Sequence, residues 1–181
     1  MTIGIKSIPN LLTISRMASI PVFFMLFYSG SLFYKTLAAL LFLFASLTDF
    51  FDGYLARVLH AQSAFGKLFD PIADKMIVAA ASVMLVNSGM LSGVAVVPVI
   101  IILCREIFIS GFREYLAKSG KQIPVSSIGK IKTASQMSAI FLLLLDINQQ
   151  VNFVAKFILW ISSILSLVSC FDYFVKSKAF E

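Results

Sequence analysis

Residues 49–57 read DFFDGYLAR and residues 66–74 read GKLFDPIAD, and the rest of the chain can be interpreted from this acidic stretch. Four of the nine acidic residues of the chain lie in it, beside long apolar runs. A carboxylate in such surroundings is unfavourable unless it meets a partner such as a metal ion. The stretch is therefore the first candidate for a functional site.

The spacing of the four aspartates suggests what they do. Asp49 and Asp52 are three residues apart, and Asp70 and Asp74 are four residues apart. On two helices each pair lies on one face, with members about 4.5 to 6 Å apart along the axis. Two such faces brought together form a cluster of oxygen ligands, which suits Mg²⁺ or Mn²⁺.

The composition is that of a membrane protein. Of the 181 residues, 59% are hydrophobic, whereas about 45 to 50% is usual in a soluble domain. We expect one integral membrane domain over residues 1–181. The net charge of +6 does not indicate a nucleic-acid partner, because the basic residues are spread among the apolar runs and form no stripe. Membrane topology explains them better.

The apolar runs predict an all-α fold with six transmembrane helices. A short segment at residues 2–9 suits the membrane interface, and Pro71 is expected in the first turn of the third helix. An even number of spans places both termini on one side. Only Lys35 and Lys156 of the fifteen Lys and Arg residues fall on the other side, so the termini and the aspartates are expected to be cytoplasmic. The predicted spans are residues 17–28, 34–57, 70–86, 94–118, 127–145 and 153–174.

The central stretch also resembles a known family. Its pattern, Asp-x2-Asp-Gly-x2-Ala-Arg-x8-Gly-x3-Asp-x3-Asp, matches in full the motif of the CDP-alcohol phosphatidyltransferases. Other segments resemble the bacterial phosphatidylglycerophosphate synthases within that family. These segments are IPNLLT at 8–13 with Arg16, REI at 105–107, SGFRE at 110–114, and PVS at 124–126 with GKIKT at 129–133.

The resemblance implies a reaction and a metal site. The phosphatidyl group of CDP-diacylglycerol would pass to the hydroxyl of sn-glycerol 3-phosphate, with release of CMP, at the cytoplasmic face of a bacterial inner membrane. The family fold has six transmembrane helices, is usually a homodimer, and holds two divalent cations, Mg²⁺ or Mn²⁺. The implied ligands are Asp49, Asp52, Asp70 and Asp74, and Asp74 is also the implied general base. A structural cation site without catalysis is the alternative.

The resemblance further implies contacts to CDP-diacylglycerol. Gly53 and Ala56 are small enough for a nucleotide to approach the helix closely, although helix packing would also select small residues. Arg57 offers two parallel donors to a pyrophosphate, or it is a cation whose side chain extends to the interface at the span end. The full set of implied contacts is Asn10, Thr13, Gly53, Ala56, Arg57, Ser63 and Gly66.

Glycerol 3-phosphate carries its own phosphate, so its site needs additional cations. Arg105 and Arg113 are eight residues apart, about 12 Å and nearly in phase on one helix. Lys130 and Lys132 open the next span. These four residues are the predicted acceptor contacts, with a purely topological role at the inner interface as the alternative.

Two other functions fit parts of the pattern. A related enzyme would use inositol phosphate, serine or phosphatidylglycerol as acceptor; the basic cluster argues against serine but not against inositol phosphate. A divalent-cation transporter is the alternative from another class, because intramembrane aspartates also line ion pathways. Against it, the acidic residues cluster at one end, and only Asp146 lies at the other.

Overall fold

The computed structural model describes the backbone of residues 8–58, 64–118 and 127–178, with their side chains except those of 8–10, 12, 49–58, 64–65, 67–68, 127 and 176–178. Within these ranges the chain is helical and has no strand. The predicted all-α fold with six long helices is confirmed. The helices are α1 (Ile8–Tyr28), α2 (Leu32–Val58), α3 (Ala64–Asn87), α4 (Val97–Lys118), α5 (Ser127–Leu145) and α6 (Gln149–Lys178), with a 3₁₀ turn at Gly93–Val96 before α4.

Several helices suit a membrane. In the part of the chain that the structure describes, three helical segments are long and apolar enough to cross a bilayer: Gly93–Lys118, Ile128–Leu145 and Gln149–Val175. Two shorter apolar helices occur at Thr13–Tyr28 and Leu32–Thr48. Large apolar side chains such as Ile107, Phe153 and Phe171 are exposed, as expected for a surface that hydrocarbon covers.

The chain divides into two compact units, and each is described by itself. In the first, residues 1–85, α1 packs against α2. Phe23 of α1 and Phe42 of α2 are completely buried. Ala38 and Ala39 of α2 are also buried, and such small residues let membrane helices approach closely.

In the second unit, residues 86–181, α6 packs against both α5 and α4. Ala139 and Leu143 of α5 and Ala155 and Leu159 of α6 are buried. Tyr173 of α6 is buried with Ile109 and Leu116 of α4. This packing places polar side chains of α4, α5 and α6 close to one another.

The third helix begins earlier than predicted. It starts at Ala64, so Pro71 lies inside the helix rather than in its first turn. Proline lacks the N–H that would bond to the preceding turn, but membrane helices tolerate it where neighbouring groups satisfy the backbone. As a result Asp70 and Asp74 both lie within continuous helix.

The ends of α1 and α6 also differ from the prediction. The predicted interfacial segment 2–9 lies outside the described residues, except that Ile8 and Pro9 open α1. The last helix begins at Gln149, four residues early, because Asn148 caps it. The Asn148 Oδ1 atom accepts a hydrogen bond of 2.8 Å from the backbone N–H of Val151, which is the N-cap geometry.

Candidate active site

The first part of the candidate site is the helical face that carries Asp70 and Asp74. The two residues are one turn apart on α3, so they lie on the same side of the helix, as the spacing predicted. Both residues are partly buried, and the Asp74 side chain keeps 31% of its surface exposed. Their carboxylates are held by α1 and remain within reach of solvent or a ligand.

Two buried residues of α1 contact these aspartates. The Thr13 hydroxyl donates a hydrogen bond to Oδ1 of Asp70. The Arg16 Nη1 group donates to Oδ1 of Asp74 at 2.6 Å and forms an ion pair with it. Because Thr13 and Arg16 are three residues apart on α1, one face of α1 contacts both acidic positions of α3.

Arg16 was missed as a site residue by the sequence analysis. It entered only as one matching position of the family pattern, and no role was assigned to it. The available signal was a cation within an apolar run, which in a membrane helix requires a partner. The structure supplies that partner, because the Arg16 side chain is only 1% exposed and its guanidinium contacts Asp74.

The other half of the predicted metal site lies outside the described side chains. Asp49 and Asp52 fall on the helical backbone of α2, so their spacing still puts them on one helix face. Among the described side chains, no group of three or more His, Cys, Asp or Glu residues comes together. The four-aspartate cluster therefore stays a prediction.

The described half fits a divalent cation by its donor chemistry. Asp70 and Asp74 supply hard carboxylate oxygens one helical turn apart, which suits Mg²⁺ or Mn²⁺. Each carboxylate also bonds to a second residue, Thr13 or Arg16, and metal-ligating carboxylates are usually held in this way.

Two of the predicted CDP-diacylglycerol contacts, Thr13 and Gly66, are among the residues whose burial the structure describes. Thr13 is completely buried, with its hydroxyl on Asp70, and Gly66 is buried in the first turn of α3. Their contact with the nucleotide stays a prediction. The remaining ones lie outside the described side chains or, for Ser63, outside the described residues: Asn10, Gly53, Ala56, Arg57 and Ser63.

In the second unit, Glu106 joins two of the predicted acceptor cations. Lys132 Nζ donates to Oε1 of Glu106 in a partly buried ion pair. Arg105 Nη1 lies 3.3 Å from the same oxygen, and its Nη2 group donates to Oγ of Ser169 at 3.0 Å. One carboxylate thus holds two cations from different helices, and the sequence analysis had given Glu106 no role.

The group formed by Arg105 and Lys132 is mostly buried, and one of its donors is unsatisfied within the described ranges. The Lys132 side chain is 3% exposed and the Arg105 side chain 9%. The backbone carbonyl of Lys132 accepts a hydrogen bond of 3.2 Å from Ser162 of α6, which ties α5 to α6 at this level. Among the described residues, the buried Nε group of Arg105 has no hydrogen-bond partner, so this donor is available to an anion.

The other two predicted acceptor contacts are exposed. Arg113 lies on α4 with its guanidinium carbon 5.8 Å from the centre of the Tyr173 ring. Lys130 lies exposed in the first turn of α5. Arg105 and Arg113 both reach residues of α6, in agreement with their predicted shared phase on one helix.

Comparison with known proteins decides the family. The sequence profile of the CDP-alcohol phosphatidyltransferases matches residues 6–168. The chain belongs to the CDP-alcohol phosphatidyltransferase family. The predicted family resemblance is therefore confirmed, and an all-helical membrane fold is what such a member requires.

Individual relatives carry a more specific name. The chain is 41% identical over 179 residues to a protein of Rickettsia typhi named CDP-diacylglycerol–glycerol-3-phosphate 3-phosphatidyltransferase, covering 97% of this chain and 99% of that protein. Proteins with the same name from Pectobacterium atrosepticum and Shigella flexneri are 42% and 39% identical. They match 92% and 96% of this chain, and the same shares of their own lengths.

Proposed function

We propose that this protein transfers the phosphatidyl group of CDP-diacylglycerol to sn-glycerol 3-phosphate, producing phosphatidylglycerophosphate and CMP. The observation that carries the proposal is the identity of 39 to 42%, over nearly full length, to relatives named for this reaction. Each unit, taken by itself, has chemistry that suits this reaction: residues 1–85 present the carboxylates of Asp70 and Asp74, and residues 86–181 group the cations Arg105 and Lys132.

The reaction joins the acceptor oxygen to the lipid phosphorus. The acceptor hydroxyl oxygen forms the new P–O bond as the bond between that phosphorus and the CMP oxygen breaks. CMP leaves with the electron pair, and the hydroxyl proton passes to a base. We assign that role to Asp74, whose side chain is partly exposed and whose Oδ1 is held by Arg16. A carboxylate is a suitable base when the proton moves only as the bond forms.

Two divalent cations complete the proposed site. Asp49, Asp52, Asp70 and Asp74 would hold them, and bound Mg²⁺ or Mn²⁺ would neutralise the charge that develops on the departing CMP phosphate. Arg57, Gly53, Ala56 and Gly66 would bind the CDP group, with Asn10, Thr13 and Ser63 as further polar contacts. The four aspartates, Gly53, Ala56, Arg57 and Gly66 are fixed positions of the family motif, which supports their assignments, whereas Asn10, Thr13 and Ser63 lie outside its fixed positions.

The acceptor phosphate would bind to the cations of the second unit. The Arg105 and Lys132 side chains are grouped by Glu106, and Arg105 has the available Nε donor. Arg113 and Lys130 are exposed and would approach the phosphate from solvent. A phosphate dianion gains most from donors that are already oriented and partly desolvated.

The cellular setting follows from sequence and family together. We place the protein in the inner membrane of a bacterium with its active site at the cytoplasmic face, where the Lys and Arg residues concentrate. We also propose that residues 1–181 form one catalytic domain and that the protein is a homodimer. The single family match that spans both units supports one domain.

The test is CMP release by the purified full-length protein in detergent. CDP-diacylglycerol and Mg²⁺ or Mn²⁺ are supplied with glycerol 3-phosphate, inositol phosphate, serine or phosphatidylglycerol in turn. We expect release with glycerol 3-phosphate. Stronger release with another acceptor would reassign the substrate, and cation uptake into proteoliposomes without CMP release would favour a transporter.

A variant tests the role of Asp74. Asp74→Asn keeps the size of the side chain but lacks the basic oxygen, so we expect it to lose transfer. It also lacks the charge that pairs with the buried Arg16, so its Tm should fall, although it should still elute as a folded protein. Wild-type turnover in this variant would remove Asp74 from its assigned role.

A further inference from the structure

We propose that Thr13 and Arg16 are positioning residues, which hold Asp70 and Asp74 of α3 in the orientation that cation binding and proton transfer require. The inference deepens the proposed function, because it rests on the roles assigned there to the two aspartates. It concerns two residues of α1 that act through the carboxylates of α3.

Two contacts join α1 to α3 in matching register. Thr13 bonds to Asp70, and Arg16 bonds to Asp74. The two donors are three residues apart on α1, and the two carboxylates are four residues apart on α3. Each pair therefore lies on one face of its helix, and these two faces are in contact. Two matched contacts fix the rotation of α3 about its axis as well as its distance from α1, whereas one contact would leave that rotation variable.

The donors on α1 and the carboxylate of Asp74 differ in burial. Thr13 is completely buried and the Arg16 side chain is 1% exposed, while the Asp74 side chain is 31% exposed. The donors therefore contact the carboxylates from the protein interior. A carboxylate held in this way keeps its remaining surface for a ligand, which is how outer residues orient metal ligands and bases.

Arg16 brings a positive charge into the protein interior. A guanidinium removed from water is unfavourable unless it is paired. Arg16 is paired with the aspartate to which the catalytic proton transfer is assigned. A contact that only joined α1 to α3 would need no charged side chain here. An apolar contact would avoid the free-energy cost of removing a guanidinium from water. The buried guanidinium of Arg16 therefore indicates that it acts on the carboxylate of Asp74.

The experiment compares five variants of the full-length protein. Arg16→Gln removes the guanidinium, and Arg16→Lys keeps a positive charge with a different donor geometry. Thr13→Val removes the hydroxyl at nearly constant size, and Thr13→Ser keeps it. Ser19→Ala is the matched control on the same helix, because the Ser19 hydroxyl bonds to the Arg16 carbonyl at 2.6 Å rather than to an aspartate.

Two quantities are measured beside thermal stability. The first is kcat at saturating Mn²⁺ together with KM for each substrate, and the second is the affinity for Mn²⁺ alone, by electron paramagnetic resonance. Loss of an outer residue of a metal site typically lowers metal affinity or activity roughly 10- to 100-fold. We expect losses of this size in Arg16→Gln and Thr13→Val, with KM for glycerol 3-phosphate changed less than about threefold.

The conservative variants and the control define the expected pattern. Thr13→Ser should lose much less kcat and Mn²⁺ affinity than Thr13→Val, because it keeps the hydroxyl. Arg16→Lys should lie between wild type and Arg16→Gln, because an ammonium keeps the charge but not the planar donor geometry. Ser19→Ala should keep wild-type kcat and Mn²⁺ affinity. If Arg16→Gln does not fold, the Thr13 pair and Arg16→Lys still decide the proposal.

Two results would overturn the inference. Lower thermal stability with wild-type kcat and Mn²⁺ affinity would show that the contacts only join α1 to α3. Tighter Mn²⁺ binding in Arg16→Gln would show that the guanidinium competes with the cation for Asp74. The Mn²⁺ measurement does not depend on the acceptor, so it remains decisive even if the wild-type protein releases no CMP with glycerol 3-phosphate.

Discussion

Replacing Glu106 by glutamine tests the energetics of the buried cationic group. Glutamine has nearly the same shape as glutamate, so the change removes charge and leaves little cavity. Lys132 and Arg105 share one oxygen of Glu106, and their side chains are 3% and 9% exposed. Without the carboxylate, two cations remain close together in a region that water reaches poorly.

The expected loss follows from this burial. Removing one partner of a buried ion pair destabilises a protein by about 3 to 5 kcal/mol, because the other charge stays uncompensated. Glu106 itself is 21% exposed, so we expect the lower end, about 3 kcal/mol. For a chain of this size, 1 kcal/mol corresponds to about 2 to 4 °C in Tm. Thermal unfolding in detergent should therefore occur roughly 6 to 12 °C lower.

The same helix provides a matched control. Glu114 pairs with Lys118 on α4, but these side chains are 71% and 76% exposed. The same substitution at Glu114 should change the free energy of unfolding by less than about 1 kcal/mol, because exposed pairs contribute little. Adding Lys132→Met to Glu106→Gln should recover part of the loss, since the buried charge is then removed. Equal Tm shifts for Glu106→Gln and Glu114→Gln would refute this reasoning.

Three further predictions follow from individual residues. Arg113→Ala should raise KM for glycerol 3-phosphate about tenfold and KM for CDP-diacylglycerol much less, because a charged hydrogen bond contributes about 1.5 to 3 kcal/mol; equal changes in both KM values would place Arg113 elsewhere. Asn148→Ala should lower the free energy of unfolding by about 1 kcal/mol through loss of the α6 cap, and an unchanged Tm would contradict that role. Gly89 has φ +75° with open space around it, so Gly89→Ala should destabilise by about 1 to 2 kcal/mol through backbone strain alone. Its control, Gly111→Ala, lies in helix with equally open space and should stabilise by up to about 1 kcal/mol.

Much of the helical architecture could be predicted, because each helix depends mainly on the residues of its own segment. Apolar runs of sufficient length form helices in a membrane, since the backbone must satisfy its own hydrogen bonds there. The fifth helix was predicted at residues 127–145 and begins and ends there. The predicted starts of α3 and α6 were wrong, because residues that are typical of a helix start or a loop lie inside these helices. Pro71 indicated a helix start but lies inside α3, and the polar residues after Asn148 indicated a loop but form the first turn of α6.

The family, the helical membrane fold and the pairing of Asp70 with Asp74 on one face could be predicted from the amino-acid sequence, because these depend on residue types and on spacing within a single helix. The side chains that meet those carboxylates and cations could be identified only from the packing of the helices. Thr13 and Asp70 are 57 positions apart, and Glu106 and Lys132 are 26 apart. Contacts of that kind depend on the rotation and register of packed helices, which the periodicity of one helix does not determine. For this reason the sequence pattern does not reveal the roles of Arg16 and Glu106, which depend on their contacts with Asp74 and Lys132.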